Sequence, residues 1–283
     1  HGKLGEAETA ARKGVELRES PASLVRLGYI LQQQDRLEEA QSIYNRILEI
    51  DPLDSKGVRL YLAGLGLCEM PERAPSAHVK GLFDHYASFF DEHLRDKLEY
   101  KGPEVVFTLL ASRLHGQRDL EIMDLGCGTG LCGVALSPFA KRLDGIDLSP
   151  RMLAKARERG IYSELFEADL EACLEEREQA YDCVVAGDVF VYLGDLAPIF
   201  AAVRKRLRAE GLFAFTLEGM QNQVDQNEGI VLTQNSRYQH SRTYVERLAR
   251  EQGYHVRTME DVVMRMEAGK PVSSLAVLLQ GPA

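Results

Sequence analysis

The stretch Leu120-Glu-Ile-Met-Asp124-Leu-Gly126-Cys-Gly128-Thr-Gly130 constrains this chain more than any other. Apolar strand residues run directly into a loop with glycine at alternate positions, and a helical pattern follows. Glycines at such a turn remove the side chains that would keep a ligand off the backbone. A dinucleotide-binding loop spaces its glycines G-x-G-x-x-G to seat a pyrophosphate. Here the spacing is G-x-G-x-G, with Asp124 two residues ahead of the first glycine. An acid there suits a cationic amino group better than a phosphate, which argues against a nicotinamide-dependent oxidoreductase.

From Gln117 onward short apolar runs alternate with helical stretches, as a sheet with helical crossovers requires. Strands are expected at Glu121–Leu125, Arg142–Asp147, Ser163–Glu167, Asp182–Ala186 and Leu212–Leu217, and helices at Thr129–Leu136, Pro150–Arg159 and Ala197–Arg208. The tail departs from this rhythm: Val256–Val263 and Ser274–Gln280 flank Gly269-Lys-Pro271 and read as a strand pair joined by a turn. In a parallel sheet ligands bind beyond the carboxyl ends of the strands. Asp147 closes the second expected strand, where a carboxylate can accept both hydroxyls of a ribose. Glu167-Ala168-Asp169-Leu170 closes the third, where an acid can meet an adenine amino group or simply cap a helix.

The earlier half has a different texture. Leu24, Leu27-Gly28 and Leu31, then Ala40, Tyr44 and Ile47, then Pro52, match the spacing of a tetratricopeptide repeat over residues 21–54. Leu4-x-x-Ala7 matches Leu37-x-x-Ala40 at a distance of 33 residues, so a preceding repeat is expected to be present as its second helix alone. Val58, Leu62 and Leu65 are expected to cap the stack. Pro71-Glu-Arg-Ala-Pro75 breaks helix twice and marks a boundary. The expected organisation is a helical domain over 1–75, linker and lid helices over 76–119, and the sheet domain over 120–283.

The set Asp124-x-Gly126-x-Gly128-x-Gly130, the acid at 147, Ala168-Asp-Leu170 and Tyr181-Asp-Cys-Val-Val-Ala186-Gly-Asp188 resembles the class I S-adenosylmethionine-dependent methyltransferases. The likeness covers about Leu120–Gln280. It implies a Rossmann-like α/β domain with a mostly parallel seven-stranded sheet whose last strand is antiparallel, preceded by the small all-α repeat domain. It also implies S-adenosylmethionine as cofactor and S-adenosylhomocysteine as product. By this resemblance Gly126, Gly128 and Gly130, with Asp124, back the methionine portion. Asp147 serves the ribose, Ala168, Asp169 and Leu170 the adenine, Met152 covers the other adenine face, and Leu148 is also a cofactor-binding residue. Asp188 also borders the cofactor. Leu82-Phe-Asp-His-Tyr86-Ala-Ser-Phe-Phe90-Asp91-Glu-His-Leu94, with Leu98-Glu-Tyr-Lys-Gly-Pro103, is similar to the lead-in of predicted bacterial methyltransferases that carry tetratricopeptide repeats. That likeness makes His78–Leu94 a lid with Tyr86 and Phe90 near the cofactor; an ordinary amphipathic helix burying Phe83, Phe90 and Leu94 is the simpler alternative.

Methyl transfer needs alignment above all, because the sulfonium is already electrophilic. If a base is needed, the candidates are Asp188, Tyr192, Glu218 and His240. Ser236-Arg-Tyr-Gln-His240-Ser241 resembles a segment of the repeat-bearing family, so Arg237, Tyr238 and His240, with Tyr192, are expected to hold the acceptor. Each has a plain competitor, such as a helix cap for Ser241 or a packed ring for Tyr192. Ala186-Gly-Asp-Val-Phe stands where enzymes acting on planar amides carry Asn-Pro-Pro-Tyr or Asp-Pro-Pro-Tyr. A small-molecule acceptor is the expectation, reached at O, N, S or C; a protein acceptor delivered by the repeats, or a non-catalytic cofactor-binding module, are the alternatives.

Composition narrows the partners. With 43 acidic against 34 basic side chains, net charge −9, the chain repels phosphate backbones and anionic membranes, so neither nucleic acid nor membrane is expected as a partner. A protein partner on the repeat face remains open. No secretory signal or membrane span is legible, which points to the cytoplasm. Cys68, Cys127, Cys132, Cys173 and Cys183 form no Cys-x-x-Cys pair and have no histidine at ligand spacing, so no metal is expected.

Overall fold

The computed structural model describes residues 2–96, 98–114, 116–220, 229–233, 235–267 and 269–283. The chain folds as two compact units, 1–81 with 232–236, and 82–231 with 237–283. The division falls inside a helix, beyond the proline-bounded break expected at 71–75.

The first unit is helical: α1 (Gly2–Leu17), α2 (Pro21–Gln33), α3 (Leu37–Ile50) and α4 (Val58–Gly64), with the first residues of α5 (Ser76–Tyr86). Ser20 starts α2 with a capping box to Ser23, and Pro21 occupies a first-turn position where its missing N–H costs nothing. Leu24, Leu27, Leu31, Ala40, Tyr44, Ile47, Val58 and Leu62 form its core. Gly28 is required by close approach: a Cβ there would stand 2.5 Å from the Tyr44 ring. Gly28 and Tyr44, both positions of the repeat spacing, thus make the packing contact of α2 on α3.

The second unit holds α6 (Phe90–Asp96) and α7 (Gly102–Leu114), then β1 (Leu120–Leu125), α8 (Leu131–Leu136), β2 (Ala140–Asp147), α9 (Pro150–Glu158), β3 (Glu164–Glu167), α10 (Leu170–Glu176), β4 (Tyr181–Ala186), α11 (Ala197–Arg206) and β5 (Leu207–Glu218). After the short β6 (Ile230–Leu232) and β7 (Tyr238–His240) come α12 (Arg242–Glu251), β8 (His255–Glu267) and β9 (Lys270–Gln280). The seven-stranded sheet runs β3-β2-β1-β4-β5-β9-β8. β1 to β5 pair in parallel, and β9 pairs antiparallel to both β5 and β8. This is the reversed strand expected from the tail.

The two sheet faces carry separate cores. One buries Met123, Leu125, Val184, Phe213 and Phe215 under the helices that include α11 and α12; the other buries Ile122, Val185 and Ala214 with Val106 and Leu110 of α7. Central strands covered on both sides read as continuous apolar runs, which is why they were legible. The expected helix edges shift by a few residues, and α10, short and half charged, was foreseen only as the helix that Asp169 could cap. Order reverses between β1 and β4, the place in an open parallel sheet beyond whose carboxyl ends ligands bind.

Candidate active site

The loop leaving β1 is built from three glycines, all in left-handed backbone: Gly126 at φ +62°, Gly128 at +55° and Gly130 at +89°. They do different work. A Cβ on Gly126 would fall 2.6 Å from a Val189 methyl, and one on Gly130 would fall 2.9 Å from the Tyr162 ring. A Cβ on Gly128 would meet only the ring edge of Phe90, at 4.0 Å. The outer glycines are therefore demanded by packing, and the middle one fronts open space.

Asp147 closes that space from the β2 side. Its Oδ2 accepts the Gly128 N–H at 2.9 Å and its Oδ1 accepts the Ser149 N–H at 2.8 Å. Burial raises its pKa to about 6, against the pull of those amides. Each oxygen keeps lone-pair capacity for a hydroxyl. Leu148 follows it, half-buried.

Asp124 differs from the expectation that it faces a cationic group. It is 1% exposed and accepts a 2.7 Å hydrogen bond from Tyr162 Oη. Burial lifts its pKa to about 7, opposed by Tyr162 and the Gly133 amide. Tyr162 also abuts Gly133 and Gly145 as well as Gly130, so one phenol ring supports the loop from beneath. Nothing in the sequence around Tyr162 signalled this, because its partners lie in other elements of the fold.

Across from Gly128 stands an aromatic cluster. Phe83 meets Phe90 and Tyr192 edge-on at 6.0 and 5.6 Å, and Tyr86 meets Phe90 at 6.4 Å. Two aspartates fasten this segment. Asp84 Oδ1 accepts from Ser149 Oγ at 2.6 Å; Asp91 accepts from Thr129 Oγ1 and Arg159 Nη2, both at 2.5 Å. Arg159 Nε in turn donates to the Thr129 carbonyl. Tyr86, Phe90 and Tyr192 are thus brought together with the glycine loop, and Asp84, Asp91 and Arg159 are the anchors that motif reading missed.

The adenine-side candidates are more structural. Asp169 caps α10, accepting from the Glu171 and Ala172 amides. Ala168 N–H donates to the Asp147 carbonyl at 3.2 Å, Leu170 is buried, and Met152 is fully enclosed in α9.

Beyond β4, Asp188 sits in left-handed backbone at φ +59° and its N–H donates to Thr216 Oγ1. Both its carboxylate oxygens take the Arg265 guanidinium at 2.9 Å. Burial raises its pKa and Arg265 opposes that rise. Tyr192 is half-buried, its phenol pushed up by burial. The expected acceptor segment is a correction. His240 has 0% exposure, shares a hydrogen bond from Nε2 with the Gly194 carbonyl at 2.9 Å and stacks on Tyr244. Burial lowers its pKa to about 4, so it is neutral at physiological pH and out of reach of an arriving acceptor. Tyr238 is likewise fully buried, Arg237 is paired with Glu267 at 2.6 Å, and Ser241 caps α12. Among the described residues no cluster of potential ligands could hold a metal ion.

The open face of Gly128, the buried carboxylate beside it and the rings opposite fit a nucleoside with a cationic thioether-derived side chain. Residues 122–211 match the methyltransferase domain family. The chain carries a class I S-adenosylmethionine-dependent methyltransferase domain. It is similar to a malonyl-(acyl-carrier protein) O-methyltransferase of Acetivibrio thermocellus, 32% identical over 108 residues that make up 38% of this chain and 38% of that protein. The chain spans between about a seventh and about half the length of the curated relatives it matches. In fold, the methyltransferase domain is like the N-methyltransferase NodS of Bradyrhizobium japonicum crystallised with S-adenosylhomocysteine, at TM-score 0.54 and 18% identity over 72% of this chain and 98% of that one. It is also like the cyclase SpnF, at TM-score 0.60 and 14% identity over 76% and 98%. One fold thus hosts more than one chemistry.

Proposed function

We propose that the protein transfers the methyl group of S-adenosylmethionine to a small-molecule acceptor by in-line displacement. The observation that carries this reading is the open face of Gly128, bounded by Asp147 on one side and Phe90 on the other. When bound, S-adenosylmethionine supplies an electrophilic methyl on a sulfonium. Asp147 would hold the ribose hydroxyls, Gly128 would let the methionine portion lie on the backbone, and Tyr86 and Phe90 would cover it. Phe83 and Tyr192 exclude water from the side where the acceptor stands. Alignment by these groups supplies much of the rate, and a base is needed only for a protonated nucleophile. The enclosure by Phe83, Tyr86, Phe90 and Tyr192 favours a small acceptor over a polymer.

A protein acceptor or partner is the second reading, favoured by Leu17, Tyr29 and Leu53, which the helical unit leaves more than half exposed. The methyl acceptor named for the Acetivibrio relative is not carried over, because the similarity covers little more than a third of either protein.

The test is calorimetric titration with S-adenosylmethionine and S-adenosylhomocysteine beside Asp147→Ala and Gly128→Val. Micromolar binding lost in both variants supports the site. A folded wild-type protein that binds neither ligand rejects the reading.

A further inference from the structure

A cavity of about 530 Å³, within the range of small-molecule sites, lies on the sheet face that α7 covers. None of its lining residues is among those proposed around the cofactor. One wall is Lys101 and then Glu104, Val105, Thr108 and Leu109 of α7, a single stripe at helical spacing. The other wall is β8, and Ala276 and Leu278 of β9 form the floor.

The polar end of this cavity is built by the fold. Along β8 side chains alternate between faces, so Thr258, Glu260 and Val262 share the cavity face. By that alternation Arg257 would point away. The pairing of β8 with β9 shifts register between Val256 and Thr258, and the bulge turns Arg257 into the cavity beside Thr258. The guanidinium is then fixed from behind. Gln280, 2% exposed, donates from Nε2 to the Glu210 carbonyl at 3.2 Å, which leaves its Oε1 to accept from Arg257 Nε at 2.6 Å. Among the described residues Lys101, Glu104, Arg257 and Glu260 make no ion pair. Two cations and two acids thus ring an apolar floor without neutralising one another.

We propose that this cavity binds a free apolar α-amino acid as its zwitterion, at a site separate from the methyl-transfer site and independent of that reading. The carboxylate takes the oriented Arg257 guanidinium in the two-pronged geometry that arginine offers to planar anions, with the hydroxyls of Thr108 and Thr258 beside it. The ammonium turns to Glu260, two residues beyond Thr258 on the same face, about 7 Å along the strand. The two charged groups of an α-amino acid, each at hydrogen-bond distance from its partner, bridge a gap of that size. Its aliphatic or aromatic side chain lies over Leu109, Ala276 and Leu278, and the apolar area removed from water adds to binding. A fatty acid would leave Glu260 against hydrocarbon, and a simple amine would leave Arg257 unmatched. Only the zwitterion meets both charges.

Ligand-observed NMR titration of the full chain with L-leucine and L-phenylalanine tests the site. Saturating S-adenosylhomocysteine is present, so that neither can occupy the methionine end of the cofactor site. Dissociation constants at or below about 1 mM are expected. Leucinamide, which lacks the carboxylate, and isocaproate, which lacks the ammonium, should each bind about tenfold more weakly. Arg257→Gln and Glu260→Gln alter exposed rim positions, so the melting temperature should hold while each weakens leucine about tenfold. No binding of either amino acid, isocaproate binding as tightly as leucine, or leucine affinity unmoved by both substitutions overturns the inference. Failure to bind S-adenosylhomocysteine removes the methyltransferase reading alone, and leucine binding lost in Arg257→Gln still supports this site.

Discussion

On the proposed reading, a single carboxylate governs the pH range over which the site would hold a nucleoside. Burial places Asp147 at about 6, and only its ionised form accepts two hydroxyls. Affinity for S-adenosylhomocysteine should be level above about pH 7 and fall by about tenfold per unit below 6. Asp124 titrates close by, at about 7, and calorimetry on Asp147→Asn separates the two: the variant should bind weakly and without the step at 6. For folding the sign is the reverse of a salt-bridged acid. The raised pKa makes ionised Asp147 a cost that is absent below the ordinary carboxylate range near 4 and complete above 6. Tyr162 is the second decisive residue. Tyr162→Phe leaves the enclosed Asp124 carboxylate short of a donor, and denaturant unfolding at pH 8 should record a loss of about 1–3 kcal/mol.

At the scale of elements, the segment from Phe83 to Asp91 is held to the sheet by two aspartates that bond to loops after β1 and β2. Asp91 is 43% exposed and Arg159 26%, so the pair is screened and its net worth is small, under about 1 kcal/mol. On the proposed reading this segment covers the cofactor, and ties of that strength suit a cover that must open for exchange. Asp91→Asn should raise the S-adenosylhomocysteine dissociation rate severalfold in stopped-flow measurements while leaving the melting temperature nearly unchanged. An unaltered rate would mean that ring packing alone retains the segment. In the helical unit the contact of α2 on α3 depends on Gly28. Gly28→Val would drive a branched side chain into Tyr44, at a cost of about 1–3 kcal/mol to that unit, read as loss of helical circular dichroism on heating.

For the whole molecule, the two units own separate hydrophobic cores, one of eight buried residues and one spread over both faces of a seven-stranded sheet. All the residues proposed to surround the cofactor belong to the second unit. Differential scanning calorimetry is expected to resolve two transitions, with saturating S-adenosylhomocysteine moving the larger upward by mass action and leaving the smaller where it was. Movement of both would mean that the units unfold as one. Among the described residues no helix is long and apolar enough to cross a membrane.

The sequence alone determined the alternation of strands and helices, the reversed final strand, the repeat-like helix pair and the glycine loop with Asp147. These depend on periodicity and on residues a few positions apart, and backbone geometry converts such spacing directly into shape. Tertiary structure alone decided which chemistry-bearing side chains face the site. His240, Arg237 and Asp124 sit in suggestive motifs, yet enclosure and partners drawn from distant segments commit them to the frame. Arg265 has no motif around it, and it meets Asp188 across 77 residues. Burial and ion pairing are properties of neighbours in space, and those neighbours exist only once β8 has been laid against β9 and turned toward the end of β4.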